Sequence, residues 1–143
     1  MLRRLWATLV ALVSRRPDRR TAKRRAGDRG EREAERFYRR SGYTVLARNW
    51  RHGRDEIDLV LATPDGAMPV FVEVKTRGEN DRRGGYAAVD ARKKNALRRA
   101  IRAYLRCARA NDVSWRFDIV EIRSDESGAL RVIHHCAVPL FTK

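Results

Sequence analysis

Small and apolar residues recur at helical spacing over residues 22–41. Ala26, Gly30, Ala34, Phe37 and Tyr38 share a face there, and Ser41-Gly42 supplies a stop. The period then shortens. Tyr43 to Arg51 is rich in β-favouring residues and predicts a strand. His52-Gly53-Arg54 reads as a turn, and Glu56 to Leu61 alternates as a strand does. Ala62 to Pro69 carries Pro64-Asp65-Gly66 and reads as a loop, and Val70 to Lys75 alternates again. Gly78 to Gly85 is polar and reads as a mobile loop. Val89, Leu97, Ala100, Ile101, Tyr104, Leu105 and Ala108 then predict a helix over about 87–110, with Lys93 as the polar exception on its apolar face. Trp115 to Ile122 and Leu130 to Val138 predict two more strands. The order of helix, three strands, helix and two strands implies an α/β fold with a mixed sheet and helices packed against it.

The two middle strands sort best when facing residues have numbers summing to 131. Leu61 then faces Val70, Leu59 faces Val72 and Ile57 faces Val74, all on one face. The other face carries Val60 with Phe71, Asp58 with Glu73, and Glu56 with Lys75. A one-residue slip would mix the two sets. This register makes Asp58 and Glu73 cross-strand neighbours, with Cβ atoms about 4.5–5.5 Å apart. Two carboxylates so close repel, and three things relieve them: a shared proton, a nearby cation or a bound metal. Lys75 supplies one cation, too little for Glu56, Asp58 and Glu73 together. A divalent-metal site of hard oxygen ligands fits this excess. A solvated salt-bridge ladder explains Glu56 and Lys75 well but Asp58 and Glu73 poorly.

Composition adds a polyanion to the picture. The chain has 143 residues, enough for one domain with a real core, and a formal net charge of +15. The charge is almost all arginine and is unevenly spread. Residues 1–25 hold +8 of it, leaving +7 for the rest. Nucleic acid is the first candidate partner. Residues 1–20 read as a basic N-terminal extension, amphipathic or disordered, and residues 21–143 as the folded domain. The apolar run Leu5–Val13 is too short to span a bilayer, which takes about 20 apolar residues, and no cleavage site follows it. No integral membrane association is expected. Cys107 and Cys136 make neither a disulfide framework nor a CxxC pair, so two reduced thiols in a cytoplasmic protein are expected, without zinc. His134 and His135 read as structural or surface residues, and Trp50 and Trp115 as core.

Val72-Glu73-Val74-Lys75, with Asp58 upstream, resembles the Asp…Glu-x-Lys signature of the PD-(D/E)xK nuclease superfamily. Alone that signature is weak. Its context is more specific: Gly30-Glu31 with Ala34, Gly42-Tyr43, Arg48-Asn49-Trp50-Arg51, Glu56-Ile57-Asp58-Leu59-Val60 and Val70 through Arg77. With Lys93 and Arg116-Phe117-Asp118-Ile119-Val120, these stretches resemble the bacterial YraN-like family of uncharacterised proteins, which is similar in fold to archaeal Holliday-junction resolvases. The resemblance covers residues 27–122. It implies a restriction-endonuclease-like core, Glu31, Asp58 and Glu73 as ligands of Mg²⁺ or Mn²⁺, and Lys75 as the catalytic lysine. Thr76, Arg77 and Lys93 are placed to contact nucleic-acid phosphates. Asp55 departs from the family's usual glycine and would add a carboxylate near the site.

These readings lead to a Mg²⁺-dependent endonuclease acting on DNA, branched or structured DNA included. The rival is a non-catalytic nucleic-acid-binding module on the same fold, and a third reading is an adaptor that works through the arginine-rich leader. A resolvase-like role would favour a two-fold homodimer.

Overall fold

A computed structural model describes residues 22–78, 80–82 and 89–140. The basic extension at 1–20, residues 79 and 83–85 of the expected loop and the expected helix start at 87–88 lie outside these residues. The described elements are α1 (Ala22–Arg40), β1 (Thr44–His52), β2 (Asp55–Ala62), β3 (Pro69–Arg77), α2 (Ala91–Cys107), β4 (Arg116–Ser124) and β5 (Leu130–His135). They form one five-stranded sheet in the order β1-β2-β3-β4-β5. Only β3 and β4 run parallel, because α2 carries the chain between them. This is the expected α/β class, a mixed sheet flanked by helices.

Each sheet face has its own core. Ala34 and Tyr38 of α1 pack on Leu59, Leu61, Val70, Val72, Val120 and Ile122. On the opposite face Leu97, Ala100, Ile101 and Tyr104 of α2 pack on Trp50, Ile57, Val60, Phe71, Phe117 and Ile119. Trp50 is buried, and partly buried Trp115 stands edge-on to Phe71, so both serve the core as expected.

Helix α2 is shorter than its apolar periodicity suggests. Asp90 accepts the amide of Lys93 at 2.8 Å and caps the helix at Ala91, so Val89 precedes it. Arg109, at φ 50°, turns the chain away at the other end. Strand β5 likewise stops at His135 instead of Val138, since Ala137 adopts φ 54° and gives its amide to Asp118. Among the described residues no helix is long and apolar enough to cross a membrane.

Candidate active site

The β2–β3 register is the expected one as far as it runs. Leu59 pairs Val72, Val60 pairs Phe71, Leu61 pairs Val70 and Ala62 pairs Pro69. Beyond Leu59 the ladder stops, so Asp58 and Glu73 are not paired rungs as the sequence suggested. On its other side β2 pairs Arg48 with Leu59 and next Trp50 with Ile57. Between them Asn49 takes a left-handed conformation, φ 48°, which asparagine tolerates better than most residues. The Asn49–Asp58 rung between these two pairs is absent from the ladder. Ile57 joins the α2 core while Leu59 joins the α1 core, so the six expected aliphatics do not share one face. Asp58, just past the end of the β3 ladder, uses its own carboxylate where a ladder bond would have been: Oδ2 accepts the Val74 amide at 2.7 Å.

That position is hostile to a charged carboxylate. Burial pushes the Asp58 carboxyl well above the ordinary range, and the neighbouring Glu73 and Glu31 carboxylates push it further. The Val74 amide and Lys93 oppose them without prevailing. Glu73 itself is buried, at 3% exposure. Its Oε1 takes both available ammonium groups, Lys75 Nζ at 2.7 Å and Lys93 Nζ at 3.2 Å. Its Oε2 is buried and has no hydrogen-bond partner. Lys93, the polar exception on the α2 face, is thus the second cation of this cluster. Burial pulls its pKa down, but Glu73, Asp58 and Glu56 outweigh that and leave it raised.

Glu31 arrives from α1. A Cβ built on its neighbour Gly30 would collide with the Thr76 hydroxyl oxygen on β3, so only glycine lets the helix sit this close. Glu31, Asp58, Glu73, Thr76 and Arg77 line one open cleft of 530 Å³. All three expected ligands and two of the three expected phosphate contacts therefore share a wall. Lys75 and Lys93 reach it through Glu73.

Two neighbours stand elsewhere. Glu56 pairs Arg51 across β1, at 2.9 Å, instead of Lys75. Asp55 does not crowd the cleft. Arg99 of α2 grips it with two bonds of 2.8 Å, which ties the β1–β2 turn to that helix.

Sequence reasoning missed a second buried acidic group on β4. Asp118 accepts from Tyr38, from Arg116 twice, from His134 and from the Ala137 amide, at 2.8–2.9 Å. Burial alone would raise its pKa; these donors outweigh it and set it at about 2. His134 is accordingly structural, as expected. Asp118, His134 and Cys136 offer ligand atoms within 4.8 Å of one another. The Asp118 oxygens are already filled by donors, which argues against a cation there. Cys107 and Cys136 are free thiols. Glu121, buried beside Lys75 in the parallel β3–β4 register, was also missed. A glutamate at the core-facing position after Phe117 and Ile119 was its signal.

The family model for the uncharacterised protein family UPF0102 matches residues 30–122. A UPF0102 protein of Nitratidesulfovibrio vulgaris (strain DP4) is 40% identical over 114 residues, covering 80% of this chain and 82% of the relative. One from Solibacter usitatus is 44% identical over 122 residues, covering 80% and 89%. Among solved structures, Pyrococcus furiosus SfsA in complex with Ca²⁺ is similar with a TM-score of 0.38 and 15% identity, covering 77% of this chain and 62% of that one.

Proposed function

The chain belongs to the uncharacterised protein family UPF0102, and we propose that it is a metal-dependent endonuclease acting on DNA, branched or structured DNA included. The observation that carries this reading is the Glu73 Oε2, a carboxylate oxygen buried without a partner beside Asp58 and Glu31. A protein selected for stability alone would satisfy or remove it. Hard carboxylate oxygens suit Mg²⁺ or Mn²⁺, and Glu31, Asp58 and Glu73 would hold the ion. When bound, it would polarise a phosphate and lower the pKa of a coordinated water.

The chain's own residues have separable roles in this account. The Val74 amide fixes the Asp58 carboxylate in place. Lys75, held at 2.7 Å from Glu73, orients the attacking water or stabilises charge developing on the phosphate. Thr76, Arg77 and Lys93 contact phosphates of the bound strand. The remaining positive surface draws the polyanion in.

The purified protein should cut branched, single-stranded or duplex DNA with Mg²⁺ or Mn²⁺, and Asp58→Ala, Glu73→Ala and Lys75→Ala should each abolish cutting. An inert parent, or active variants, would end the enzymatic reading. One observation favours the rival. Lys75 and Lys93 together already offset much of the negative charge at Glu73. A non-catalytic module would bind DNA with a steep salt dependence, and its carboxylate variants would bind as well as the parent.

A further inference from the structure

Arginine grips a two-oxygen anion best with the edge formed by Nε and Nη2, whose hydrogens point the same way. Among the described residues three arginines use that edge in full. Arg48 holds Glu35, Arg99 holds Asp55 and Arg116 holds Asp118, each through Nε and Nη2. A fourth, Arg123, turns the same edge to Glu121.

Arg77 does not, and Arg36, Arg51 and Arg98 likewise bond their acceptors through an Nη nitrogen; Arg77 differs from these three in lining the cleft. It is the register partner of Arg123 on the adjacent parallel strand. Both give Nη1 to Asp81, Arg77 to the carboxylate at 2.6 Å and Arg123 to the carbonyl at 3.0 Å. Arg123 has Glu121 for its edge. On Arg77 the Nε is buried and has no partner, although the side chain is only 9% exposed. Leaving a buried guanidinium donor unmet is costly, more so than for a neutral group. Arg77 also lines the cleft that holds Glu31, Asp58 and Glu73. Along β3 it lies four residues beyond Glu73, roughly 13 Å at strand rise.

We propose that the Nε edge of Arg77, pinned by Asp81, is a preformed phosphate subsite for a nucleic-acid strand lying in the cleft, separate from the phosphate held at the carboxylates. This rests on the nucleic-acid reading above and deepens it. The bound group is a phosphate, supplied either by the strand's backbone or by its terminus. Arg77 is a binding residue in this account, and Asp81 is a positioning residue.

The test is binding in EDTA, where any metal-held phosphate drops out. The probe is a short single-stranded DNA with a 3′ fluorophore, made with and without a 5′-phosphate. Arg77→Lys keeps the charge and removes the fork, and it should weaken binding on the order of tenfold with an unchanged salt slope. Arg77→Gln should weaken it further and reduce the slope by roughly 0.7, the value for one phosphate of a single strand. Loss with both probes assigns the subsite to backbone phosphate; loss confined to the phosphorylated probe assigns it to a strand terminus. If a folded Arg77→Lys binds both probes as the parent does, the subsite is overturned. Cleavage assays separate this from the enzymatic reading. Arg77-dependent binding without any cutting retains the subsite and removes the nuclease, whereas cutting with no Arg77 dependence does the reverse.

Discussion

Asp118 on β4 and Asp58 on β2 are both carboxylates withdrawn into the sheet, and their surroundings are opposite. Asp118 is met by a tyrosine, a bidentate arginine, a histidine and a backbone amide, and its pKa falls to about 2. Asp58 is met by one amide and two further carboxylates, and its pKa rises. The first arrangement stabilises the free protein. The second burdens it, which a fold tolerates where something else binds. Burial of an acid is therefore uninformative here until its partners are counted.

The largest expected effect lies on the stabilising side. Asp118→Ala leaves Arg116 and His134 without their acceptor and should cost about 3–5 kcal/mol by urea denaturation. An equal loss from Asp58→Ala would collapse the comparison. The pH dependence has a defined sign. The folded pKa of Asp118, about 2, lies below the unfolded value of about 3.9. Its contribution is thus present above about pH 4 and is lost as pH falls toward 2. In Asp118→Asn that part of the acid transition should vanish.

Next in size is Gly30→Ala. The new methyl must displace Thr76 or lift α1 from β3. A cost of about 1–3 kcal/mol is expected, with weaker Mn²⁺ binding because Glu31 rides on the same helix. Asp58→Asn should move the other way. An amide oxygen can still accept from Val74, and the repulsion from Glu73 and Glu31 is gone. The metal-free protein should gain on the order of 1 kcal/mol near neutral pH. Since the folded pKa of Asp58 is raised, the gain should shrink as pH falls and the parent's own carboxyl takes up its proton. Smallest of all, Asp55→Gly should leave Mn²⁺ binding unchanged, because Asp55 spends its charge on Arg99.

The two carboxylate sites differed in how far they could be read from sequence. Alternation along β2 and β3, with the Pro64-Asp65-Gly66 turn between them, was enough to set the register that Leu59 to Ala62 adopt. It failed one residue earlier. Alternation assumes an unbroken ladder, and β2 leaves the β3 ladder at Asp58, level with Asn49 of β1, whose left-handed conformation no pattern announces. Lys93 stood out as the polar residue on an apolar helix face, and it does reach Glu73. The Asp118 network gave no such signal. Tyr38 reads as an ordinary core residue and His134 as an ordinary strand residue, and their hydrogen bond spans 96 positions of chain. Local pattern cannot report a contact that only tertiary packing creates. Glu31 came from family resemblance, and Gly30 supplies the physical reason it can approach the sheet.

The central claim is that the burden at Asp58 and Glu73 is a metal site. Thermal unfolding measured against Mn²⁺ concentration, for the parent and for Asp58→Asn, tests it most directly. The parent's Tm should climb with the logarithm of Mn²⁺ once the ion exceeds its Kd, and Asp58→Asn should start higher and stay flat. A flat parent, or the same climb in both proteins, would contradict the account.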